Sequence, residues 1–348
     1  MKKKSLGFGI IGTGSIAAHH AKSIEQLDDC HLVAVLSSSA ARAAEAGDKY
    51  KVPGYENIDE FLKRDDIDVV CVCTASGKHL EPTLAAAKAG KHVLTEKPLE
   101  VNLERADQMI AACRSYGVKL GCIFQNRFKP DYLKVKEAVE KGSLGKLIMG
   151  NAYIKWYRDK TYYSSSDWKG TLRWDGGAAL INQGIHTIDL LLDIMPEVES
   201  VYGQVKTAVH KIEGEDLAAS VLNFQNGAIG SIEGGTSLYP GFPERLEIFG
   251  QNGSIILEGG KITQWNISNQ KTEEKNVKEQ ESTSASDPMA VDFKFHMLQI
   301  KDMVDAINDD REPAVNGESA RKSLELILAI YKSSNTNKAV QLTTSYRE

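Results

Sequence analysis

Leu6 to Ala17 reads LGFGIIGTGSIA, an apolar run broken by Gly12 and Gly14 and continued by a small residue at Ala17. Leu6 to Ile11 reads as a strand, and Ser15 to about Leu27 as a helix. The first glycine allows a tight turn, the second lets backbone approach a pyrophosphate, and the small third position lets helix and strand pack closely. The helix that opens there offers free N–H groups to phosphates. Gly12, Thr13, Gly14, Ser15 and Ile16 are therefore cofactor candidates.

Working outward, strands predicted over 32–36, 68–73, 92–95 and 118–124 alternate with helices over 40–50, 58–63, 79–89 and 102–116. Strands separated by helices mean βαβ units and a parallel sheet. Asn102 reads as a helix N-cap, and Gly117 falls just past that helix's end. A Rossmann-type domain over 1–126 follows, with the boundary where the texture changes near Arg127. Beyond it come a helix over 131–140, a long strand over 146–156, and a helix from Ala179 to Leu192. Short β-rich runs fill 198–267, with turns expected at Asn226-Gly227, Gly234-Gly235 and Asn252-Gly253, which predicts a mostly antiparallel sheet. Residues 270–287 read as a charged, Ser/Thr-rich excursion, followed by helices over 293–307 and 319–333 and a last strand over 339–342. The second domain is taken as 127–348, with its final helices able to pack back on the first.

Composition bounds the function. With 348 residues, two domains are expected, and 42% hydrophobic against 26% charged residues is ordinary for a soluble fold. A net charge of −5 gives no reason to expect nucleic acid or an anionic membrane as partner. The basic start, Met1 to Lys4, runs into a glycine-interrupted strand and not into a signal-peptide core, and no apolar run approaches the ~20 residues of a membrane span. Five cysteines, with Cys71 and Cys73 alternating in a strand, suit reduced core positions, and no Cys/His cluster has metal spacing. A cytoplasmic protein without a metal is expected.

The end of the second strand bears on which dinucleotide binds. An acidic residue there bonds the ribose hydroxyls of NAD. This chain has Ser37, Ser38, Ser39 and then Arg42, and hydroxyls with an arginine suit a 2′-phosphate. NADP is expected over NAD. Thr74, Ala75, His79, Glu96 and Lys97 complete the cofactor candidates.

Two further stretches carry chemistry. In Gly90 to Leu99, GKHVLTEKPL, the strand His92–Thr95 stops at Glu96-Lys97-Pro98, because proline cannot donate to a ladder and restricts its predecessor. Lys97 should therefore be held just beyond the carboxyl end of a strand, where open α/β sheets bind ligands. In Trp174 to Asp189, Gly176-Gly177 makes a tight entry to a helix, and Asn182 and His186, four apart, should share one face of it.

These motifs, in this order, resemble the Gfo/Idh/MocA family of NAD(P)-dependent sugar and cyclitol oxidoreductases: GIIGTGSIA, GKHVLTEKPL, DGGAALINQGIHTIDLL and the closing PAVNGESARKSLELILAIYKSS. The resemblance implies a Rossmann domain followed by an α/β domain whose large, mostly antiparallel sheet commonly forms a dimer or tetramer interface. It implies that Lys97 and His186 are the catalytic lysine and histidine. Where many members carry Asp, this chain has Asn182, which can orient groups but not relay a proton. Ala178 stands where a third glycine is common. The expected reaction moves hydride between nicotinamide C4 and a secondary alcohol carbon. His186 would act as base, Lys97 would stabilise the alkoxide, and Asn182 would orient.

The segment Trp156 to Trp174 holds three of the four tryptophans, three tyrosines and two arginines, a mixture suited to polyhydroxylated rings. Arg158, Tyr163 and Trp168, with Arg127, are the substrate candidates beside Asn182 and His186. Arg158, Lys169 and Arg173 could meet the phosphates of a nucleotide sugar. His296 and Gln299 open a late helix whose family counterpart can reach the pocket. A non-catalytic dinucleotide-bound sensor on the same fold is the competing reading, and retention of both Lys97 and His186 argues against it.

Overall fold

The computed structural model describes residues 5–268, 273–274 and 293–342. Apart from Glu273–Glu274, a two-residue strand, the charged segment 270–287 lies outside the described residues. The chain divides into two compact units, Met1–Gln125 with Asp292–Arg321, and Asn126–Val291 with Lys322–Glu348. Residues 292–321 thus belong to the first unit, not to the second as a continuous 127–348 domain would require.

In the first unit six strands, all parallel, form one sheet: β1 (Leu6–Ile11), β2 (Cys30–Leu36), β3 (Gly54–Tyr55), β4 (Val69–Val72), β5 (His92–Thr95) and β6 (Leu120–Cys122). Their order is β3-β2-β1-β4-β5-β6, the doubly wound arrangement that reverses between β1 and β4. Every residue of β1 and β4 is buried. Parallel strands are covered on both faces, so they read as continuous apolar runs in the sequence. Helix Leu103–Ser115 starts where expected, with the Asn102 side chain accepting from the Arg105 N–H. Helix Phe293–Asn308 packs against helix Ser15–Glu25 and adds Ile300, Met303 and Val304 to the core around Leu6, Phe8 and Ile10.

The second unit holds a nine-stranded sheet: β7 (Leu147–Lys155), β8 (Val198–Lys206), β9 (Leu217–Phe224), β10 (Ile229–Gly235), β11 (Arg245–Gly250), β12 (Gly253–Glu258), β13 (Lys261–Ile267), β14 (Glu273–Glu274) and β15 (Val340–Gln341). The order is β14-β13-β12-β11-β7-β10-β9-β8-β15, and every pairing is antiparallel except β7 with β10. Gly234 and Gly235 do not turn the chain as expected. They lie inside β10, paired with Ile154 and Lys155 on β7, and a side chain at Gly234 would strike Leu180. Helix Ile185–Ile194 packs on β7 and β11, and alternate residues of β9 leave Val221 exposed on the opposite face.

Candidate active site

In the first unit, the turn after β1 is built for backbone-mediated anion binding. Gly12 has φ +94°, and a Cβ there would lie 2.7 Å from the Cys73 carbonyl oxygen, so no other residue fits. Gly14 is the N-cap of helix Ser15–Glu25 with no side-chain cap, and a Cβ on it would meet nothing within 4 Å. Uncapped N–H groups beside open space suit a pyrophosphate. Thr13 and Ser37 share a hydroxyl–hydroxyl hydrogen bond of 2.8 Å, which ties the ends of β1 and β2 together. Ser38 and Arg42 are exposed, with the Arg42 Nη1 3.5 Å from the Ser38 hydroxyl. No carboxylate stands on 37–42. Ser15 is exposed, and Ile16, Thr74 and Ala75 are half-buried. The residues present fit a dinucleotide.

His79 plays a different part from the one expected. Its ring is fully buried, with Nδ1 3.0 Å from the Pro98 carbonyl and Nε2 3.3 Å from that of Thr74. It fastens the turn after β4 to the Lys97 loop from behind, and burial lowers its pKa.

From Val93 to Glu100 every residue is buried except Lys97, which is half-buried. Glu96, 6% exposed, points inward: its Oε1 is 2.8 Å from His20 Nε2 and 3.8 Å from His296 Nε2, and its Oε2 accepts from the Lys97 N–H at 3.2 Å. Burial alone would raise the Glu96 pKa, but the hydrogen bond and charge of His20, helped by His296 and Lys97, pull it down to about 2. Burial works against a charged His20, yet its pKa is raised well above the ordinary value; the thiols of Cys73 and Cys71 adjoin it. Burial pushes Cys73 itself up to about 11, so its thiol is neutral at pH 7, and the counter-charge to His20 is Glu96. Gln299 does not face a ligand: its amide bonds the Phe124 N–H and the Cys122 carbonyl.

In the second unit, Gly176 and Gly177 have φ of 79° and 146°, and a Cβ at Gly177 would lie 2.9 Å from a Glu215 oxygen. Buried Glu215 accepts from the Ala178 and Leu180 N–H groups at 3.1 and 2.7 Å and from the Tyr331 hydroxyl at 2.9 Å. The segment Ala179–Gly184 that follows is π-helical, and only at Ile185 does the α-helix begin. The four-residue spacing of Asn182 and His186 therefore runs from the π-helical turn into the first turn of the α-helix. Wide turns of this kind recur at functional sites.

Asn182 lies inward, 9% exposed, its amide donating to Asp175 and accepting from Gln183 at 2.9 Å. Gln183 in turn donates to the Tyr162 hydroxyl at 2.7 Å and accepts from Arg158 Nη2 at 2.7 Å. From Asp175 to Leu191 every residue is buried except His186, which is half-buried.

The substrate candidates separate into two groups. Arg127 is spent on Asp189 and Asp193, three hydrogen bonds of 2.7 Å each. Arg158 is 3% exposed and held by Gln183, and the Tyr163 hydroxyl bonds Thr236 at 2.7 Å. These three face protein. Trp168, Lys169 and Trp174 are half-buried and Arg173 is exposed; Lys169 Nζ sits 4.2 Å from the Tyr162 ring centre, and Arg173 lies over Trp174. Asp175, Gln183, Tyr162 and His20 were missed by sequence reasoning. The first two flank named motif residues and were within reach of it; His20 carried no local signal.

A Rossmann sheet with an uncapped glycine turn suits a dinucleotide, and with the relatives below it makes the chain an NAD(P)-dependent dehydrogenase or reductase acting on CH–OH groups. Residues 6–124 match the family model described as "Oxidoreductase family, NAD-binding Rossmann fold", and residues 132–256 match the GFO/IDH/MocA C-terminal domain. The chain belongs to the Gfo/Idh/MocA oxidoreductase family. It is similar to the myo-inositol 2-dehydrogenase of Thermotoga maritima, 29% identical over 340 residues covering 96% of this chain and 98% of that one. It is also similar to the 1,5-anhydro-D-fructose reductase of Ensifer adhaerens, 28% identical over 97% of this chain and 98% of that relative. Among solved structures, the WlbA dehydrogenase from Bordetella pertussis, in complex with NADH and UDP-GlcNAcA, superposes with a TM-score of 0.88 at 28% identity, covering 98% of this chain and all of that one.

Proposed function

We propose that this chain interconverts a secondary alcohol and a ketone on a sugar, sugar derivative or cyclitol, with NADP preferred over NAD. The observation that carries the reading is the burial pattern: Lys97 alone in Val93–Glu100, and His186 alone in Asp175–Leu191, escape burial. A bound nicotinamide would supply the hydride acceptor or donor. The Gly12–Ile16 turn would hold its phosphates, and Ser38 with Arg42 would hold a 2′-phosphate. Thr13 and Ser37 would line the adenosine side and Thr74 and Ala75 the neighbouring turn, with Glu96 and His79 supporting from within. His186 takes the hydroxyl proton in oxidation, a neutral imidazole having the right basicity near pH 7. Lys97 would donate to a substrate oxygen and stabilise its developing charge. Asn182, fixed by Asp175, orients.

The relatives' substrates, an inositol, an anhydrohexose derivative and, in the WlbA complex, a nucleotide-sugar uronate, support a polyhydroxylated ring. Trp168, Lys169, Arg173 and Trp174 are the ligands proposed for it, in place of the inward-facing Arg127, Arg158 and Tyr163. The open face of the nine-stranded sheet, with Val221 and Ile229 exposed, is proposed as the contact with a second copy. Five free, buried cysteines suit a reducing cytoplasm. No described helix is long and apolar enough to cross a membrane.

The test is turnover with NADP and NAD against inositols, free sugars and nucleotide sugars, for wild type and Lys97→Met. The reading expects turnover with one class and its loss by orders of magnitude in the variant. Tight dinucleotide binding without turnover anywhere would favour a sensor instead.

A further inference from the structure

Three elements of the first unit converge on one carboxylate. Helix Ser15–Glu25 contributes His19 and His20, the loop after β5 contributes Glu96 and Lys97, and helix Phe293–Asn308 contributes His296. His20 is 0% and His296 1% exposed, and their rings, like those of His19 and His296, are 5.9 Å apart. His20 takes one oxygen of Glu96, and the other oxygen holds the backbone N–H of Lys97. Cys71 and Cys73 of the β4 region adjoin His20 in the same core. A buried imidazole–carboxylate pair is costly to assemble and costly to break from one side, so it fixes whatever it touches.

We propose that His20 is a positioning residue for Lys97: through Glu96 it pins the lysine's backbone and answers the carboxylate's charge beside it. Its partners in this task are Glu96 itself and, from the opposite helix, His296. The helix that opens at the phosphate turn is thereby mechanically joined to the residue that meets the reacting oxygen. The relevance to turnover rests on the role proposed above for Lys97.

The sign of the effect separates this from mere packing. With His20 removed, the Glu96 charge is left to His296 and Lys97, and the lysine amine is held protonated. With Glu96 made neutral, the amine is released. The full-length protein is reductively methylated with formaldehyde and cyanoborohydride between pH 7 and pH 10, and the Lys97-containing peptide is followed by mass spectrometry. His20→Ala should slow Lys97 methylation, by about tenfold for each unit its pKa rises, and Glu96→Gln should speed it. His20→Gln, which keeps an N–H donor near the Nε2 position but not the charge, should slow it less than His20→Ala. General loosening would speed the reaction in both variants; that result, or no change in either, overturns the proposal. Should His20→Ala fail to fold, Glu96→Gln and His20→Gln still decide the matter, a slowed Glu96→Gln or a speeded His20→Gln overturning it. With any compound that turns over, His20→Ala should lower kcat by about 10- to 100-fold and leave the dinucleotide KM nearly unchanged. The methylation readout needs no substrate, so a chain without turnover would defeat the functional reading and leave this one standing.

Discussion

Arg127 holds Asp189 through two parallel hydrogen bonds of 2.7 Å, Nε to Oδ2 and Nη2 to Oδ1, and both side chains are buried. Its third edge takes Asp193, whose second oxygen accepts from Tyr132 and Lys136. Asp189 lies one turn beyond His186, so this fork fixes the helix that carries the histidine. Removing one partner of a buried pair leaves the other charge uncompensated. Asp189→Asn should therefore cost about 3 kcal/mol in urea unfolding. A loss indistinguishable from that of an exposed substitution would show that the guanidinium finds water instead.

The cofactor preference can be read from affinity alone. Arg42 and Ser38 are the exposed polar groups at the end of β2. Arg42→Ala should weaken NADPH binding about tenfold and leave NADH nearly unaffected, since only the former carries the 2′-phosphate the guanidinium would meet. Fluorescence titration of both cofactors checks it, and equal losses would move Arg42 off the ribose.

The His20–Glu96 pair gives stability a defined pH window. Glu96 is pulled to about 2 from an ordinary 4.5, so its contribution is full above 4.5 and is lost as the pH falls toward 2. The stability gap between wild type and Glu96→Gln should be full above pH 4.5 and shrink as the pH falls toward 2. Urea midpoints over this range measure it; a flat gap contradicts the pairing.

His186→Asn removes the titratable nitrogen and keeps a polar side chain of similar reach. It should lower turnover by about 10²- to 10⁴-fold, with dinucleotide affinity unchanged. Retained turnover would hand the proton to another group.

What the sequence disclosed was whatever the chain decides locally. β1 and β4 are buried on both faces and read as unbroken apolar runs, Asn102 caps its helix within three residues, and Lys97 stands at a strand end marked by proline. What stayed hidden depends on distant partners. Arg127 looked available because Asp189 lies 62 residues away, and His20 looked idle because Glu96 lies 76 residues on. Gly234-Gly235 resembles a turn in isolation and becomes strand only because β7 runs alongside and Leu180 fills the space a side chain would take. The π-turn at Ala179–Gly184 keeps an α-helical composition, so periodicity could not reveal it.

The return of residues 292–321 to the first unit has a consequence for biosynthesis. Ile300, Met303 and Val304 are the lid on the core laid down by Leu6, Phe8 and Ile10, yet they are translated long after Gln125. At about 5–20 residues per second, that apolar surface stays uncovered on the nascent chain for roughly ten to thirty-five seconds. The half of the molecule made first is thus the half completed late.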